Sequence, residues 1–217
     1  MRQRIHYSQS EHTVDAVVHI IGVTCGMVAA GALAFMILER GERTYAAGLG
    51  IYAFGLLTMF ICSALYNMAR EGWWKALLRR LDHAAIFLLI AGTYTPLALI
   101  AIGGRLGAGL LAFGWLVAAA GMIFKLVSPT RWQPLAIATY LLIGWTVVVA
   151  FEPLFAAVSL RGIILLLTGG ILYSIGVVFY RWTRLPYHRA IWHSFVLAAA
   201  SCHFTVVFID IALAGGQ

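Results

Sequence analysis

An all-α bundle of seven membrane-spanning helices is the fold this sequence predicts, and three observations predict it. Of the 217 residues, 62% are hydrophobic and only 11% are charged, with a mean hydropathy of +0.91. So little polar surface cannot coat a water-soluble globule. The apolar residues gather into seven runs of bilayer-crossing length, roughly 20 residues each. The connections between them leave no room for a soluble domain, so the expectation is a single integral membrane domain over residues 1–217.

The first run extends over about 14–38, after the polar stretch MRQRIHYSQSEHTVD; it is too long for the core of a cleaved signal peptide and is expected to be retained. The charged turn ERGERTY separates it from the second, 46–68. The third covers about 83–102 and contains Pro96, which removes one backbone hydrogen bond and can kink the helix or simply be tolerated there. The fourth and fifth cover 107–127 and 134–151, and the sixth and seventh cover 162–180 and 188–214. Small residues recur inside them, as in AAGALA, AAAG and LAAAS, and would let helices approach closely where no hydrophobic force drives association.

Lys and Arg are unevenly shared between the two ends. Eleven fall on the side of the N-terminus, including Arg2, Arg4, Lys75, Arg79, Lys125 and Arg189, against four on the other, Arg40, Arg43, Arg105 and Arg161. The positive-inside rule then places the N-terminus in the cytoplasm and the C-terminus outside, in an inner or plasma membrane of bacterial type. This topology accounts for the net charge of +7 without nucleic acid, for which there is no long basic patch with interleaved aromatics. Trp73 and Trp74, beside Lys75, read as an interfacial anchor, and Lys125 as a residue able to snorkel from a helix end. The three cysteines, Cys25, Cys62 and Cys202, lie within apolar runs without metal-site spacing and read as small buried hydrophobes.

Ionisable groups inside such runs are costly and are functional candidates by default. They occur in three places: Ser63 to Asn67, Asp82-His83, and the stretch PYHRAIWHSFVLAAASCHF from Pro186 to Phe204. The alternating directions of the runs put Ser63, Asn67, Asp82, Arg189 and His193 at one depth near the cytoplasmic face. Ser63 and Asn67 share a helix face, as do Arg189 and His193, both pairs being spaced i,i+4. His203 falls roughly 15 Å deeper than His193 at 1.5 Å per residue. Polar groups from three helices at one level suit a metal or acid–base centre, and equally suit interhelical fastening worth about 1 kcal/mol per bond. Among the other histidines, His12 reads as solvated, His19 as a partner within the bundle, and His83 as turned toward a helix interface.

The segments SALYNM, RLDHAAIFLLIAGTYTP and PYHRAIWHSFVLAAASCHF, with EHTVDAVVHIIG, resemble the hemolysin III family, within the superfamily of the adiponectin and membrane progestin receptors. The resemblance covers nearly the whole chain. It implies seven helices, a cytoplasmic N-terminus, and zinc held by a histidine ending the second helix and an H-x3-H pair opening the seventh. It further implies lipid-amide hydrolysis, membrane-lipid homeostasis and, by name, cytolysis. In that chemistry His193 would ligate zinc, Asp82 would orient and deprotonate water, and Ser63 would steady the oxyanion.

Two of the implied ligand positions are substituted: S-x3-H reads Ser63-x3-Asn67, and H-x3-H reads Arg189-x3-His193. An Asn amide is a poor zinc ligand, and a guanidinium has no lone pair to give. At an effective dielectric of 20 and 4 Å, a divalent ion and a guanidinium repel by about 8 kcal/mol. His188 could substitute only from an unwound helix start. The expectation is that Arg189 stands in the metal's place and pairs with Asp82, leaving Ser63, Asn67 and His193 in a metal-free pocket. Membrane lipids are the expected partners. The alternatives are a non-enzymatic sensor or regulator of the bilayer and, with less support, a cytolytic pore.

Overall fold

The computed structural model describes residues 8–214. Arg2 and Arg4, counted in the charge imbalance, lie outside the described residues. Seven helices are long and apolar enough to cross a membrane, and among the described residues there is no strand. The seven-helix, multi-pass architecture read from the sequence is therefore present.

Helix α1 (Gln9–Arg40) starts earlier than its apolar run because a capping box fixes it: Ser8 Oγ accepts from the Glu11 amide at 3.2 Å, and Glu11 Oε2 accepts from the Ser8 amide at 2.8 Å. It stops at Gly41, whose φ of 64° is the left-handed geometry of a C-terminal cap. Helix α2 (Arg43–Met68) follows and packs along α3 (Trp73–Pro96). There the backbones come close enough that a Cβ on Gly55 would sit 3.1 Å from the Leu88 carbonyl, and one on Gly92 would sit 3.3 Å from that of Ile51. Glycine is what lets these two helices meet.

Helix α3 begins about ten residues before the third apolar run. Lys75, Arg79 and Arg80 belong to it; Arg80 reaches the last carbonyls of the next helix, α4 (Gly104–Val127), at Leu126 and Val127. Trp73 and Trp74 stack at its exposed start, with ring centroids 3.8 Å apart. Pro96 ends its regular part, and the span continues to Ile102 as a π-helix, a form that absorbs a lost backbone bond. Lys125 does not snorkel. It is fully buried, with Nζ 2.8 Å from Gln133 Oε1, because the connection to the fifth span folds over it.

The fifth span is broken: α5 (Gln133–Trp145), a 3-10 turn, then α6 (Phe151–Ala157). The sixth is α7 (Leu160–Arg181); the seventh is α8 (His188–Val206), continued as a π-helix to Leu213. Asp210 lies against Gly162 in the first turn of α7, where a carboxylate is favoured by the helix dipole. Each span packs on the next in chain order, and α8 returns to α1, closing a ring. The fifth span packs least against its neighbours, and a partly open cavity of about 1270 Å³ lies among the helices.

Candidate functional site

The site begins with one face of α1. Glu11, Asp15 and His19 recur every four residues, so they stack on one side of the helix, and that side meets the start of α8. Glu11 Oε1 accepts from the Tyr187 amide at 2.9 Å, and Tyr187, at φ 59°, turns the chain into α8. This clasp sets Arg189 and His193 opposite Asp15. His193 Nδ1 lies 2.6 Å from Asp15 Oδ1, Arg189 Nη2 lies 3.7 Å from Oδ2, and the His19 and His193 rings are 4.3 Å apart by centroid. Asp15 is buried, so its charge is answered by these neighbours and not by water.

The pairing expected for Arg189 is therefore corrected. Its guanidinium reaches Asp15 on the first helix; Asp82 is instead beside Ser63, within electrostatic range of His83, His193 and Arg189. The reason is topological: the last helix adjoins the first, so the carboxylate that Arg189 reaches lies 174 positions away in the chain.

Ser63, Asn67, Asp82, Arg189 and His193 all line the large cavity. His203 lines it too, deeper, with Nε2 3.3 Å from the Leu166 carbonyl and its ring against Tyr173. His188 is buried, bonded to the Phe179 backbone of α7 and within electrostatic range of Glu11, Asp15 and Arg189, and it lines the cavity as well. His83 meets the Pro129 carbonyl at 3.0 Å, in the connection after α4. Exposed His12 lies at the cavity mouth.

Zinc at the positions the resemblance implies does not fit the residues present. Asn67 offers only a neutral amide oxygen where an imidazole would be needed, and its Nδ2, held on the Ser63 carbonyl of its own helix at 2.9 Å, has no lone pair for a metal. Arg189 brings a positive charge where an imidazole would be needed. What remains is acid–base chemistry. Asp15 accepts a hydrogen bond from His193 Nδ1, so in that tautomer the ring's lone pair is on Nε2, while Ser63 sits beside Asp82 on the cavity wall. Asp15 is the residue that sequence reasoning missed. Its signal was available: the four-residue spacing Glu11, Asp15, His19 within EHTVDAVVHIIG marks a polar helix face.

A family profile described as "Haemolysin-III related" matches residues 7–204. The "Hemolysin-3 homolog" of Bacillus subtilis (strain 168) is 37% identical over 203 residues, covering 93% of this chain and 95% of that protein. "Hemolysin-3" of Bacillus cereus is 36% identical over 197 residues, covering 91% and 90%. The human "Monocyte to macrophage differentiation factor" is 28% identical over 209 residues, covering 91% and 83%. No solved structure matches the chain.

Proposed function

This chain belongs to the hemolysin III family, and from that premise we propose that it takes a membrane lipid into its internal chamber as part of membrane-lipid homeostasis. The observation that carries the reading is the cavity. At about 1270 Å³ it is larger than the roughly 300–1,000 Å³ of ordinary small-molecule pockets. Its wall is divided in character: Ser63, Asp82, Arg189 and His193 at one end, and Met59, Leu89, Leu97 and Val196 among the apolar residues beyond. A polar headgroup with a long apolar chain is the ligand class that such a chamber suits.

The charge imbalance between the two ends supports an orientation with the polar end toward the cytoplasm, in an inner or plasma membrane. Zinc-assisted hydrolysis of a lipid amide is not favoured at the positions the resemblance implies, because Asn67 and Arg189 replace two imidazoles there. Holding or sensing a lipid needs no such ligands. The protein is purified in mild detergent and its retained lipid is identified by native mass spectrometry and extraction. The expected result is about one lipid per chain, with matching changes in that lipid class in cells lacking or overproducing the protein. Retention of none, at detergent concentrations that preserve the fold, would defeat the reading.

A further inference from the structure

The geometry points to a second ligand set: we propose that Asp15, His19 and His193 bind a divalent transition metal of the zinc class. One ligand atom from each lies within 4.8 Å of the others, and two imidazoles with one carboxylate make a three-residue set that leaves a coordination position open for water. The set shares only His193 with the positions implied by family resemblance. It draws its other two members from α1, whose residues Asp15 and His19 are spaced i,i+4.

An independent observation points the same way. His19 is 5% exposed, and its Nε2 is buried without a hydrogen-bond partner. An orphaned buried nitrogen is costly, and this one lies 3.8 Å from Asp15 Oδ1, beyond hydrogen-bonding range. Neighbouring ligand atoms in a tetrahedral site with bonds of about 2.0–2.1 Å are roughly 3.3 Å apart. The 3.8 Å and 2.6 Å separations around Asp15 Oδ1 bracket that spacing. Between His193 Nδ1 and Oδ1 the metal takes the place of a proton, which leaves on binding. Arg189 sits on Oδ2, so the carboxylate stands between guanidinium and ion; the arginine weakens the site without blocking it. A pocket of about 10 Å³ bounded by Glu11, Asp15 and Arg189, near the size of one water, adjoins the cluster.

The test uses the full chain in detergent, stripped with chelator and titrated with zinc chloride against a competing indicator, with elemental analysis after desalting. About one zinc per chain is expected, with thermal unfolding shifted upward by the metal. His19→Gln, which keeps size and polarity, should weaken binding by about tenfold or more. Asp15→Asn should do the same, and Arg189→Met should tighten binding by about a hundredfold or more by removing the adjacent positive charge. Absence of zinc binding in the unaltered chain would overturn the proposal. So would binding that His19→Gln leaves unchanged, since the ion would then sit elsewhere; if Asp15→Asn does not fold, His19→Gln decides alone. Lipid retention is measured separately, so either reading can fail while the other stands.

Discussion

Asp15 carries more of the polar cluster than any residue on α8. One oxygen holds the His193 imidazole at 2.6 Å and the other faces Arg189 at 3.7 Å, so removing the carboxylate takes a counter-charge from a cation and releases a ring at once. Asp15→Ala should cost on the order of 2–3 kcal/mol, below the roughly 3–5 kcal/mol of fully buried pairs because the Arg189 side chain keeps 23% exposure. Thermal unfolding in detergent measures this, and a loss below about 0.5 kcal/mol would contradict it. The sequence made Arg189 and His193 conspicuous, since both stand in an apolar run. Asp15 was hidden by its place beside a polar terminal stretch, where a carboxylate reads as solvated. The capping box at Ser8 and Glu11 starts the helix at Gln9 and carries Asp15 more than a turn inside it.

At the scale of elements, the seven spans were legible because a bilayer forces every backbone polar group into a helix and every helix into an apolar run. Their ends were less so. The start of α3 contains Lys75, Arg79 and Arg80, which satisfy themselves on Ala69, Tyr66 and the end of α4, so the helix continues through residues that hydropathy assigns to a loop. The break in the fifth span at Trp145 is a departure from regular helix that an apolar run does not reveal, since periodicity is blind to a 3-10 turn. The contact between α2 and α3 yields a sharp expectation. Gly92→Val would push a branched side chain toward the Ile51 carbonyl, 3.3 Å from the first added carbon, and separate the two helices that carry Ser63 and Asp82. A loss of about 1–3 kcal/mol is expected for such overpacking. The same change at Gly31, which meets nothing within 4 Å, should be nearly silent in the same assay.

For the whole molecule, what matters is that the ring of helices closes between its first and last members, which brings chain positions 15 and 193 together around one end of the chamber. Neither composition nor periodicity encodes that adjacency, and this is why the partner of Arg189 could not be read from the sequence, whereas Ser63, Asp82 and His193 stood out in it as polar groups within apolar runs. A lipid-holding chamber also makes a prediction of its own. Val196→Trp, on the cavity wall one helical turn beyond His193, should displace the retained lipid while leaving the helical fold intact by circular dichroism. The chain reconstituted into liposomes should release no trapped dye, whereas a pore would.

The account stands most directly on the contact between α1 and α8, and a double-mutant cycle measures it. Thermal unfolding of the unaltered chain, Asp15→Asn, Arg189→Gln and the combined variant gives the coupling between the two side chains. A coupling of about 1–2 kcal/mol is the predicted result for a pair partly shielded from water, as this one is. Effects that add to within about 0.3 kcal/mol would mean that the two residues do not meet, and the site described for this protein would be wrong.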